Sequence, residues 1–167
     1  MVNKAHLASP PAEGKSISLG GLGVIYKVLP EDTGGTVAVV EHPIDPGRLV
    51  RPHTHTHEDE ISYIIKGEVG VRIGDSVLAA GPGKWVFKPR GVQHTFWNAG
   101  PTEARLIEII TPGAFAHYFE ELAAILGASG TPDQARLDEL RHRYGLSFSM
   151  EWVPTLSAKY GLRLVGE

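Results

Sequence analysis

The spacing of turn residues constrains this chain more than any other feature. Through its first two thirds, Gly, Pro, Asn and Asp repeatedly interrupt short apolar or β-branched runs. The interruptions fall at Asp32 with Gly34-Gly35, at Gly47, at Gly67, at Gly74-Asp75, at Gly81-Pro82-Gly83, at Pro89 with Gly91 and around Asn98-Ala99-Gly100-Pro101. Short strands separated by such signals predict a sandwich or barrel. The expected strands are 24–29, 36–41, 50–57, 60–65, 68–73, 77–80, 85–88, 94–97 and 104–110, with 43–47 as a loop. The segments 60–65 and 68–73, on either side of Gly67, read as a hairpin.

After Thr111-Pro112 the apolar period changes. Phe115, Phe119, Leu122 and Leu126 recur at helical spacing, with Thr111 as a candidate cap and Pro112 suited to the first turn. Thr131-Pro132-Asp133-Gln134 reads as a capping box for a second helix with Leu137, Leu140 and Tyr144 on its stripe. A third helix is expected over 154–160, ended by Gly161. The expected division is an N-terminal arm over 1–23, a β barrel over 24–112, and helices over 113–167 that pack on the barrel or on a partner subunit.

Composition narrows the function. The formal net charge is −3, so a basic surface for nucleic acid or anionic membrane is not expected. No apolar run approaches the ~20 residues of a membrane span. No export signal is evident, which makes the cytoplasm the expected location. Cysteine is absent, which removes disulfides and thiolate ligands.

The residues that carry chemistry lie in Arg51-Pro52-His53-Thr54-His55-Thr56-His57-Glu58-Asp59-Glu60. On a strand, alternate side chains share a face, so His53 and His55 project together. His94 opens a later strand after the Pro89–Gly91 turn. If that strand lies beside the first, His53, His55, Glu60 and His94 converge. Three imidazoles and one carboxylate suit a divalent first-row metal, and leave room on it for water, substrate or dioxygen. His57 continues the alternation and reads either as a substitute ligand or as a group behind the ligands. Phe96 shares the parity of His94 and reads as a pocket wall or as an ordinary core aromatic. Asn98 is expected to bond backbone in a turn. Trp85, Phe87 and Trp97 read as core or interface, and Arg72, Lys84 and Arg90 as solvated.

Two motifs bring a resemblance into view. The first is Gly47, five residues, His53, one residue, His55, four residues, Glu60, six residues, Gly67. The second is Gly83, five residues, Pro89, one residue, Gly91, two residues, His94, three residues, Asn98. Both resemble the paired motifs of the cupin superfamily, and the short spacer of residues 68–82 is similar to that of compact bacterial cupins. The Gln93-His94-Thr95-Phe96-Trp97-Asn98 stretch and the helical tail resemble small proteins grouped with quercetin dioxygenases. The resemblance implies an all-β fold, the cupin double-stranded β-helix or jelly-roll barrel, with a C-terminal helical appendage. It implies His53, His55, Glu60 and His94 as ligands of one divalent transition metal (Fe, Mn, Ni, Co, Cu or Zn), and it does not use His57. The activity it implies is a metal-dependent dioxygenase of a small hydroxylated or enolisable substrate, with Glu60 as base and dioxygen as co-substrate. The same residues also suit an isomerase or lyase that uses Glu60 as base, or a non-catalytic cupin that binds a metal and a small molecule. A homodimer is expected, since cupin barrels commonly pair through strand exchange or edges.

Overall fold

The computed structural model describes residues 14–127 and 132–167. In chain order the strands are β1 (Ser16–Ser18), β2 (Gly23–Val28), β3 (Ala38–Ile44), β4 (Arg48–Leu49), β5 (His53–His55), β6 (Asp59–Lys66), β7 (Val69–Ile73), β8 (Ser76–Ala80), β9 (Trp85–Lys88), β10 (His94–Asn98) and β11 (Ala104–Thr111). Helix α1 (His117–Leu126), helix α2 (Gln134–Arg143), β12 (Leu146–Phe148), helix α3 (Val153–Tyr160) and β13 (Arg163–Leu164) complete the chain.

Two sheets face each other as a jelly roll without closing into a continuous barrel. The first runs β1-β2-β3-β11-β6-β9. In the second, β10 lies beside β7 on one side and beside β4 and β5 on the other, with β8, β12 and β13 outside them. Alternation decides the faces. Along β11, Ala104, Leu106, Glu108 and Ile110 are buried and the residues between them are half-buried. Val24, Val40, Ile64, Leu106, Ile110 and Phe115 belong to the main core. A smaller cluster joins Leu49 and Trp97 to Trp152, Leu156, Leu162 and Leu164.

The segments on either side of Gly67 are not a hairpin. Strand β6 pairs with β11 and β9, whereas β7 pairs with β10 and β8. The chain changes sheets at Gly67, whose φ of 72° is a left-handed value that favours glycine. Of the expected strand over 50–57 only β5 forms, with β4 just ahead of that range, and β3 continues through Pro43 and Ile44, which were expected in a loop. Asn98 bonds backbone as expected, and it ties the two sheets together: its Nδ2 donates to the Ile44 carbonyl at 2.9 Å and to the Thr102 carbonyl at 2.8 Å.

Thr111 does not cap α1. It extends β11 opposite Asp59, its hydroxyl donates to the Thr36 carbonyl, and a 3-10 turn at Gly113–Ala116 precedes the helix. The cap of α2 is Asp133, whose side chain accepts from the Ala135 and Arg136 amides. The Thr131 expected there lies outside the described residues, as do residues 1–13 of the expected arm. Later in that arm, β1 pairs with β2. The C-terminal segment also supplies strands that the turn spacing does not announce. β12 pairs with β5 and β13 runs parallel to β4, so the ligand strand β5 sits between β10 and β12. No helix is long and apolar enough to cross a membrane among the described residues.

Candidate metal centre

His53 and His55 alternate with Thr54 on β5, so both rings enter the space between the sheets. His94 opens β10 directly opposite His53. Glu60 comes from the other sheet: it lies on the inner face of β6, reached after a bend at residues 56–57. The donor atoms of His53, His55, Glu60 and His94 lie within 4.8 Å of one another, and all four residues are buried. That span is close to the ~4.4 Å between opposed ligands held at about 2.2 Å.

The donor chemistry fits a metal ion. His53 Nδ1 bonds the Arg51 carbonyl at 2.8 Å, and His94 Nδ1 bonds the Val92 carbonyl at 3.0 Å. Each ring uses Nδ1–H on the backbone two residues earlier, which turns Nε2 into the site as the free donor. His55 Nδ1 faces Glu58 Oε2 at 3.3 Å. His55 Nε2 is buried with no hydrogen bond, although Glu60 Oε1 lies 3.3 Å away. A buried ring nitrogen that faces a carboxylate and two other imidazoles fits the donor set of a metal site.

Charge at the site is set by neighbours that the motifs do not contain. Lys88, on the inner face of β9, is 1% exposed and places Nζ 3.0 Å from Glu60 Oε2 and 2.6 Å from Glu108 Oε2. Ser62 Oγ donates to Glu108 at 3.1 Å. Burial pulls the Lys88 amine down, but Glu108 and Glu60 outweigh it and keep it charged. Burial works against ionised Glu60, yet Lys88 and His55 hold its carboxyl well below the usual carboxylate range. Burial, with repulsion from Glu60, pushes Glu108 up to about 7 against the pull of Lys88. Burial lowers His53 and His94, so both rings are neutral. Burial also lowers His55, but Glu60 and Glu58 outweigh it and hold that ring up to about 9.

His57 lies outside the group. It is exposed and sits beside Gly145, because the chain turns away from extended geometry after His55. The residue of this stretch that contacts His55 is Glu58, the next one along. Phe96 is buried, lines the cavity and lies 4.9 Å from Lys88 Nζ at its ring centroid. Trp85 and Phe87 are 62% and 56% exposed, while Lys88 beside them is buried. Trp97 is in the smaller core cluster. Arg72 stacks on Trp152 at 3.9 Å instead of standing free in solvent, and Arg90 pairs with Asp59 at 2.7 Å. His42 is a neutral buried histidine, lowered to about 4 by burial, with Nδ1 at 2.7 Å from the Gly23 carbonyl.

His53, His55 and Glu60 line a cavity of about 680 Å³, and His94 completes the group beside them. Its walls are largely apolar, with Leu22, Phe115, Phe119, Leu137 and Phe148 among them. A few polar groups converging in an apolar hollow of this size is the usual form of a small-molecule site. The Phe115 ring stands edge-on to His55 at 4.4 Å and separates that ligand from the helices.

Residues 41–110 match the family described as "Cupin domain". The tetracenomycin polyketide synthase protein TcmJ of Streptomyces glaucescens is 30% identical over 84 residues, 50% of this chain and 56% of that protein. Protein SchB of Streptomyces halstedii is 33% identical over 76 residues, 46% of this chain and 52% of that protein. The chain thus spans about half the length of these curated relatives. The structure of the polyketide cyclase RemF from Streptomyces resistomycificus superposes with a TM-score of 0.54 at 22% identity, over 63% of this chain and 78% of that one.

Proposed function

For this small cupin-superfamily protein, we propose a metal-dependent enzyme that deprotonates a hydroxylated or enolisable polycyclic substrate and so drives ring closure. The observation that carries the reading is the His53, His55, Glu60 and His94 group, three of whose members line a largely apolar cavity of about 680 Å³. A divalent metal held by these residues would polarise a substrate oxygen and lower the pKa of its hydroxyl. Glu60 is the proton acceptor, through an Oε1 that is free of the Lys88 contact holding Oε2. Phe96 and Phe115 wall the site against water and offer faces to an aromatic ring. The resulting enolate carbon can attack a carbonyl of the same substrate, a ring closure in keeping with a relative named for a polyketide synthase and a structural neighbour named a polyketide cyclase.

Dioxygenation is the second reading, and the resemblance to quercetin dioxygenase-like proteins in the segment from Gln93 to Asn98 favours it. The same deprotonated substrate would then react with dioxygen. The test is turnover of a 1-arylhexane-1,3,5-trione, whose terminal methyl can close on the aryl ketone to a six-membered ring with loss of water, by metal-reconstituted protein with and without oxygen. Product lighter by one water under strict anaerobiosis supports ring closure. A strict oxygen requirement, with product heavier by two oxygen atoms, replaces it with dioxygenation. Binding without turnover by any metallated form overturns both and leaves a binding cupin.

A further inference from the structure

We infer that the part of the cavity between Arg51 and Arg141 is a carboxylate subsite, so that the substrate of the proposed reaction is an aromatic acid. The inference names the substrate class for that reaction and rests on it in that respect alone. Arg51 and Arg141 come from distant parts of the chain, one before β5 and one in α2, and both line the cavity that contains His53 and Glu60. They converge on one ring: their guanidinium carbons lie 5.8 and 5.2 Å from the centre of Phe148. Phe148 is paired opposite His53, and its ring is 6.0 Å from that imidazole.

Two guanidinium groups gathered on one ring repel each other unless an anion joins them. Among the described residues no carboxylate pairs with Arg51. Arg141 donates Nη1 to Asp138 at 2.8 Å, but that carboxylate is 63% exposed, and Arg141 Nε is buried with no partner. Arginine stems do pack against apolar surface, and the Phe148 contacts satisfy that role. Packing alone accounts neither for a second cation on the same ring nor for the unused buried N–H. Arg51, Arg141 and Asp138 together leave one positive charge, which matches a monoanionic carboxylate better than a dianionic phosphate. Guanidinium forks also match the planar two-oxygen geometry of a carboxylate.

The placement sets the shape of the substrate. Arg51 precedes His53 by two residues, one strand repeat of about 7 Å. A molecule with its acid on Arg51 and Arg141 therefore reaches the His53, His55, Glu60 and His94 group with a hydroxyl at its far end. Phe148 lies between the two ends as a stacking surface.

The test uses the full-length protein as isolated, with a hydroxynaphthoic acid bearing its two groups at opposite ends of the ring system. Its neutral carboxamide and the corresponding hydroxynaphthyl phosphate are the comparison probes, all measured by titration calorimetry. The acid is expected to bind at least about tenfold more tightly than the amide. The double variant Arg51→Gln/Arg141→Gln is expected to lose that preference and keep the affinity for the amide, which also shows that the cavity is intact. Equal binding of acid and amide by the parent protein, or a preference that survives in the double variant, overturns the subsite. So does failure of the acid to bind. Tighter binding of the phosphate than of the acid overturns the carboxylate assignment. Acid preference in a protein with no turnover would overturn the proposed reaction and leave this inference standing; turnover of neutral substrates alone would do the reverse.

Discussion

Lys88 Nζ sits 3.0 Å from Glu60 Oε2, and both side chains are buried between the sheets. The lysine reaches that position because Glu60 and Lys88 are directly opposed across β6 and β9. Replacing Lys88 with Met keeps the bulk and removes the charge, leaving Glu60 and Glu108 buried without their cation. Metal-free Lys88→Met is expected to lose about 3–5 kcal/mol of stability. Adding Glu108→Leu removes one orphaned carboxylate and should restore much of that. Urea denaturation with chelator present measures both; a single variant as stable as the parent would show that the pair is not a closed ionic unit.

Glu58, not His57, contacts the His55 ring. The Glu58 carboxylate on His55 Nδ1 fixes which nitrogen of the ring enters the site. Glu58→Gln is expected to weaken metal affinity by about 10–100-fold, in the range for partners behind a ligand. His57→Ala should leave it unchanged, since His57 is exposed. Competition with a coloured chelator ranks the two; equal losses in both would overturn the assignment.

The charge on His55 makes stability and metal binding depend on pH in opposite senses. In the metal-free chain the ring is held up to about 9, above its ordinary 6.5, because Glu60 and Glu58 outweigh burial. A histidine raised in this way contributes stability in full below about 6.5 and loses it as pH rises through about 9. The loss from this group is on the order of 3 kcal/mol. A metal needs the neutral ring, so affinity rises across the same window and binding at pH 7 releases a proton. Unfolding in chelator and calorimetry in two buffers of different ionisation enthalpy read these effects. Stability of the metal-free protein that stays flat through the window would rule out the extra proton on His55.

Gly70 is required by Trp97. A Cβ at Gly70 would lie 2.1 Å from the Trp97 ring, which is buried on β10 against Leu49 and Tyr160. Gly70→Ala should cost about 1–3 kcal/mol through displacement of the indole. A thermal melt and the tryptophan emission report it, and an unshifted melt would show that the ring moves freely.

The convergence of these residues was legible because their spacing is fixed by strand alternation and turns: His53 and His55 by parity, His94 by the glycine turn before it. The charges behind them were not. In Trp85-Val86-Phe87-Lys88 the aromatics face outward and the lysine inward, the reverse of what hydrophobicity favours. The inversion makes sense only once Glu60 and Glu108 are known to face that strand. The hairpin expected at Gly67 failed for a related reason. A glycine turn between two strands looks the same whether the chain folds back in one sheet or crosses to the other; the choice is made by β10 and β11, which arrive later. The walls of the cavity contributed by α2 and β12 were likewise outside any local signal, because Leu146 and Phe148 become a strand only by pairing with His55 and His53.

Strand β10 meets the opposite sheet at both of its ends. Asn98 is tied to the Ile44 carbonyl at one end, and His94 Nε2 faces Glu60 Oε2 at 3.2 Å at the other. The first tie is a plain hydrogen bond that protons and metals do not alter. The second depends on what the cavity holds. A metal ion held by His94 and Glu60 would therefore join the two sheets at that end, as Asn98 joins them at the other.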